Sequence, residues 1–173
     1  MKNLKLLLSQ SLTWTFKKNK IVLKSNDEML LELNEEKSTR ASFAYCGKEY
    51  IIHNEGFWNP KTIIEKEGNQ VLTLKRHFLG SRGKIEFENG KTYLCKVRNS
   101  PLVKLSFFSD DEKEILNYKL EAKLKPKTVL NIIDYSINEN ELLMLIILGC
   151  FSFSGIVKEN DDSDLILMAA AGA

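Results

Sequence analysis

Between residues 11 and 133 the apolar positions fall in short runs with a period of two, and turn-forming residues interrupt them at close intervals. That period predicts β-strands, because successive side chains on a strand point to opposite faces. Strands are expected over residues 12–17, 21–24, 29–33, 39–46, 49–53, 61–65, 70–76, 83–87, 91–98, 103–108, 115–124 and 128–133, with residues 34–37 and 54–60 among the joins. In 115–124, Leu116, Tyr118, Leu120, Ala122 and Leu124 take one face. Asn117, Lys119, Glu121 and Lys123 take the other, with Ile115 as its apolar exception. The stretch GKIEFENGKTYLCKV reads as a hairpin, turned at Asn89-Gly90 because both residues accept positive φ cheaply. Many short strands at this spacing predict an all-β sandwich or barrel and not βαβ units.

The alternation stops at residue 134. DYSINENE, residues 134–141, carries helix-start chemistry: Asn138 or Ser136 to cap exposed amides, and Glu139 and Glu141 to face the positive end of the dipole. Residues 142–148 then run apolar without a gap, so no face is reserved for water. Such a helix lies in lipid or at a protein's centre. At 1.5 Å per residue, the uncharged stretch from Leu142 to Val157 reaches about 24 Å, short of a hydrocarbon layer of about 30 Å. Gly149, Gly155 and the alternation of Ser152 and Ser154 with Phe151 and Phe153 place the helix end near Cys150 and leave residues 150–157 open between helix and strand. No transmembrane span is expected. About twelve antiparallel strands, closed into a barrel, would surround this hydrophobic helix and bury it.

Composition keeps the chain in the ordinary globular range, with 173 residues, 43% hydrophobic and 28% charged. It is read as a single domain over 1–173, with a core at about 11–157 and an acidic, small-residue tail at 158–173. A net charge of +2 implies no strong overall pull toward nucleic acid, and no nucleic-acid partner is expected. Cys46, Cys95 and Cys150 stand far apart and read as free thiols in a reducing, cytoplasmic setting, with placement peripheral to a membrane left open. The start MKNLKLLLSQS is too short in its apolar run for a signal peptide. The segment KENDDSD, 158–164, lacks the glycine and closing glutamate of an EF-hand loop and reads as a solvated, disordered acidic turn.

Candidate chemistry is sparse. His53 with Glu55 is the cheapest acid–base pair, yet no nucleophile sits in an elbow motif, so no catalytic residue is assigned. Two histidines and three scattered cysteines do not make a zinc site, and neither metal nor cofactor is expected. GSRGK, residues 80–84, reads as a hairpin turn and lacks P-loop spacing. Around it, Lys75, Arg76, Arg82 and Lys84 form the densest basic group and suit an anionic headgroup or phosphorylated ligand. Phe57 and Trp58, in the join 54–60, are candidates for membrane contact or for an apolar lid on a barrel rim, with the lid favoured.

Many strands followed by NIIDYSINENELLMLIILGCF, an aspartate and then a nearly all-apolar helix, resemble the tubby C-terminal-like superfamily. That group includes the plant LURP-one-related proteins, phospholipid scramblases and small bacterial relatives. TLKRHFLGSRGKIEFENGKTY, residues 73–93, is similar to the family's run of successive hairpins. The resemblance implies a twelve-stranded, mostly antiparallel barrel closed around a central hydrophobic helix, and binding or handling of phospholipid. The scramblases' proline-rich N-terminal region and palmitoylated cysteine run have no counterpart in this sequence. The expectation is a non-enzymatic barrel, with peripheral binding of anionic phospholipid or another anionic ligand. A protein-interaction scaffold is the second reading and an uncharacterised enzyme the third.

Overall fold

The computed structural model describes residues 12–17, 19–25, 28–56, 60–76, 81–99, 102–121 and 127–161. Their strands are β1 (Leu12–Lys17), β2 (Lys20–Ser25), β3 (Glu28–Lys37), β4 (Arg40–Tyr45), β5 (Lys48–Glu55), β6 (Lys61–Lys66), β7 (Asn69–Arg76), β8 (Arg82–Phe87), β9 (Thr92–Arg98), β10 (Lys104–Phe108), β11 (Glu114–Glu121) and β12 (Lys127–Ile132). A helix, α1 (Glu139–Asp161), follows them. Each strand pairs antiparallel with its neighbours in sequence, and β1 pairs with β12 to close the barrel. Closure removes the exposed edges that an open sheet would leave.

The helix gives the barrel two distinguishable ends. We call the end that holds its start the N-mouth and the opposite end the C-mouth. Odd-numbered strands run toward the C-mouth and even-numbered strands run back, as the antiparallel order requires. The turns after β4, β6, β8 and β10, and the link from β12 to α1, therefore lie at the N-mouth.

Inward positions build a dry lumen. Leu23, Leu33, Ile52, Ile64, Leu72 and Ile85 are fully buried in the same core as Leu142–Leu148 of α1. Each large apolar side chain taken from water in this way contributes about 1.5–3 kcal/mol. Asn138 starts the helix: its side-chain oxygen accepts from the Asn140 amide at 2.9 Å, and its carbonyl accepts from the Leu142 amide at 2.9 Å. Tyr118 on β11 points inward and donates its hydroxyl hydrogen to the Ile146 carbonyl at 2.5 Å. Its ring lies against Gly149, where an added Cβ would stand 2.2 Å from the ring carbon Cε2. Gly149 is the gap through which the wall touches the helix backbone.

The structure departs from the sequence expectation in several places. The helix does not stop near Cys150, and residues 150–157 are not extended; α1 runs on for 23 residues to Asp161. A strand alone inside a dry lumen would leave its amides and carbonyls unpaired, whereas a helix satisfies them internally. Lys158 to Asp161, expected within a disordered turn, are likewise helical, while the rest of the acidic tail lies outside the described residues. Residues 34–37 are not a join, since β3 continues to Lys37, pairing Asn34 and Glu35 with Ser42 and Ala41 before a register shift. Ala122, Lys123 and Leu124 lie outside the described residues.

The outer wall is polar. Outward side chains pair as Lys20–Glu32 at 2.7 Å, Lys61–Glu55 at 2.9 Å and Lys104–Glu114 at 2.8 Å. A barrel that spans a bilayer with its strands needs an apolar outer belt, and its lumen is polar, the reverse of this arrangement. Among the described residues no helix is long and apolar enough to cross a membrane.

Candidate functional site

β7 and β8 carry the predicted basic group to the C-mouth, and the pleat divides it. Arg76 pairs with Gly83 across the two strands and Lys75 with Lys84. Because Leu72 and Leu74 point inward, Arg76 does too, while Lys75, Arg82 and Lys84 lie on the outer wall. Outside, Lys75 and Lys84 share a single carboxylate: their ammonium groups stand 2.5 and 3.1 Å from Glu86. Hydrogen bonds from Lys75 and then Lys84 hold the Glu86 carboxyl below the ordinary carboxylate range. Arg82 is exposed, and among the described residues no carboxylate pairs with it. Four bases thus share one acid.

Inside the mouth, the Arg76 guanidinium donates to the Ser152 hydroxyl on α1 at 2.9 Å. Cys95 lies beside it. Burial pushes the Cys95 thiol up to about 11, with Arg76 and the Gly83 amide pulling the other way. A thiol in that state is not a nucleophile at neutral pH. Gly83 is required here for space, as an added Cβ would stand 2.8 Å from both the Cys95 sulfur and a Leu74 methyl. Next along the inner rim, the Thr62 hydroxyl donates to Asn54 at 2.7 Å. The C-mouth therefore presents polar side chains on its inner rim and cations on its outer one. Phe57, Trp58 and His77 lie outside the described residues.

The N-mouth holds a polar cluster that sequence reasoning misses. Glu141, in the first turn of α1, is buried and accepts from the Tyr93 hydroxyl at 2.7 Å, Lys91 at 3.0 Å and Asn89 at 3.1 Å. Burial alone would raise its carboxyl; the hydrogen bonds from Tyr93, Lys91 and Asn89 outweigh that and leave it below the usual value. Desolvation, then the Glu141 hydrogen bond, drives the Tyr93 phenol upward. The signal present in the sequence is the Asn89-Gly90 turn, whose backbone shape explains the hairpin but not the side chains it carries. Lys91 belongs to that turn and not to β9. The cluster fastens the β8–β9 hairpin to the start of the helix, with one carboxylate accepting from three donors.

His53 stands on the outer face of β5, with Nδ1 3.8 Å from Glu55 and Nε2 3.6 Å from Glu65. Neither contact is a hydrogen bond in length. No group of three or more His, Cys, Asp or Glu side chains among the described residues is placed to hold a metal ion. Cys46 is exposed at the β4–β5 turn, while Cys95 and Cys150 are buried.

A closed barrel of twelve antiparallel strands with one helix packed in its interior is the general tubby-like architecture. Comparison with known proteins finds no matching family model, no similar curated protein and no similar solved structure.

Proposed function

We propose that this barrel is a non-enzymatic binding module of the tubby C-terminal-like superfamily, cytoplasmic and peripheral to a membrane. It takes an anionic ligand, with a phospholipid headgroup the favoured class, at the C-mouth through Lys75, Arg76, Arg82 and Lys84. The observation that carries this reading is the local charge excess, four cations against Glu86. The guanidinium of Arg82 is left open to a phosphate or carboxylate, for which its planar fork is suited. Arg76 supports the same reading from inside, because its side chain bonds to the neutral Ser152 hydroxyl and to no carboxylate among the described residues. Phe57 and Trp58 belong to this proposal by sequence position: they fall between Gly56 and Pro60, the described ends of the β5–β6 join at the C-mouth.

Vesicle co-sedimentation tests it. The protein is expected to bind vesicles containing about a fifth of anionic lipid, to ignore neutral ones, and to release at high salt as the charges are screened. The double replacement of Arg76 and Arg82 by Gln is expected to lower binding roughly tenfold or more, since each cation near an anionic surface contributes about 1 kcal/mol. Equal binding to neutral and anionic vesicles, or none to either, would instead favour a protein-interaction scaffold.

A further inference from the structure

The net charge of +2 conceals a separation of charge along the barrel axis. At the N-mouth, Glu67 and Glu88 occupy turns, Asp110 and Asp111 the β10–β11 link, Asp134 the approach to α1 and Glu139 its first position. Lys48, Lys66, Lys91 and Lys113 answer them, and Lys91 is already committed to Glu141. At the C-mouth the balance reverses. Glu36 and Glu55 at this end are held by Arg40 and Lys61, while Glu121 ends β11 and Lys158, Glu159 and Asp161 end α1 there. Strand parity puts Arg98 and Lys119 on the outer wall with Arg82, and all three are exposed without a paired carboxylate among the described residues. Lys37, at the end of β3, adds a further exposed base at the same end.

We infer that the whole outer wall of β7–β11 at the C-mouth, not the Lys75–Lys84 group alone, docks on an anionic bilayer, and that the barrel sits there in one orientation with the N-mouth directed away. This rests on the function proposed above. A planar layer of lipid charge suits a molecule polarised along one axis. Eight residues of β7 at about 3.3 Å each, tilted by about 40°, separate the mouths by roughly 20 Å, more than two Debye lengths at physiological salt. The C-mouth cations then feel the surface while the N-mouth carboxylates are screened from it. The exposed Leu102, in the β9–β10 join, lies at the edge of the same wall. Nucleic acid fits less well. Single strands are held by free aromatic faces among cations, whereas the outward Phe108 ring stands at the N-mouth end of β10, with the Lys96 ammonium 4.6 Å from its centre.

Orientation is read by placing one thiol-linked fluorophore at either end. Cys46, exposed at the N-mouth, is labelled in the native chain, and position 102 is labelled in the Leu102→Cys, Cys46→Ser variant. On anionic vesicles carrying a quencher in the headgroup region, the probe at 102 is expected to be quenched roughly threefold more than the probe at 46, given the separation of the mouths. Replacing Arg98 and Lys119 together by Gln, both outside the Lys75–Lys84 group, is expected to weaken vesicle binding by roughly tenfold or more. Vesicle binding with equal quenching of both probes, or with stronger quenching at 46, overturns the orientation and leaves the binding function standing. Full affinity in the Arg98/Lys119 variant confines the contact to the first cluster and overturns the wider wall. No binding to any vesicle removes the function itself, and salt-sensitive binding to a short DNA duplex in its place would assign the wall to nucleic acid.

Discussion

In the sequence Gly149 is a weak point in a helix; in the structure it is a contact. Glycine in a helix interior costs about 1 kcal/mol relative to alanine in an isolated helix. Here the missing methyl admits the Tyr118 ring, with Phe107 only 3.0 Å from the same imagined Cβ. Gly149→Ala is therefore expected to destabilise the protein by about 1–3 kcal/mol, seen as a lower midpoint in urea unfolding, although it improves helix propensity. Tyr118→Phe is the milder test. It removes the bond to Ile146 and is expected to cost about 1 kcal/mol with no change in the position of the ring. Tyr118 and Ile146 are 28 positions apart in the chain, a separation that no local pattern bridges.

At the scale of one element, α1 shows how apolar residues and a few polar ones divide the labour. Its apolar length supplies the burial, and its first turn supplies the position. Asn138→Ala is expected to lower stability by about 1 kcal/mol through loss of the cap, measured by the same unfolding midpoint. Glu141 adds a pH dependence. Its carboxyl is held below the unfolded value, so its contribution is complete above about pH 4.5 and is lost as pH falls through the lower folded value. Glu141→Gln is expected to flatten that part of the stability–pH curve, measured by thermal unfolding between about pH 3 and 6. At neutral pH the same change weakens the bonds from Lys91 and Tyr93 and lowers the midpoint. The start of the helix is legible in the sequence because Asn138, Glu139 and Glu141 are neighbours whose chemistry is local. The end is not, because Gly149 and the Ser152–Ser154 alternation argue against a helix only where water or another strand is available to the backbone.

For the whole molecule, the barrel's charge separation matches the helix it encloses. The positive end of the helix dipole sits among N-mouth carboxylates, and its negative end points toward the C-mouth cations. This arrangement favours one direction of insertion, and it also leaves the C-mouth as the face that an anionic surface would meet. Enclosure has a kinetic consequence. The amides of Leu142–Leu148 are reached by water only when the wall opens, so hydrogen exchange there is expected to follow global unfolding, while the N-mouth turns exchange by local opening. Exchange of those helix amides at the rate of the turns would show that the barrel opens without unfolding. Twelve strands, the Asn89-Gly90 hairpin and a helix without a wet face can all be read from the chain, because side-chain period and turn chemistry act between near neighbours. The basic group is visible as a local concentration, but its division into an inward Arg76 and outward Lys75, Arg82 and Lys84 needs the pleat and the neighbouring strands. The Tyr118–Gly149 contact, the Glu141 cluster and the gathering of opposite charges at opposite mouths were decided by the tertiary structure alone. Each depends on which strands lie side by side and which way they run, and the order of residues along the chain contains that only through the fold.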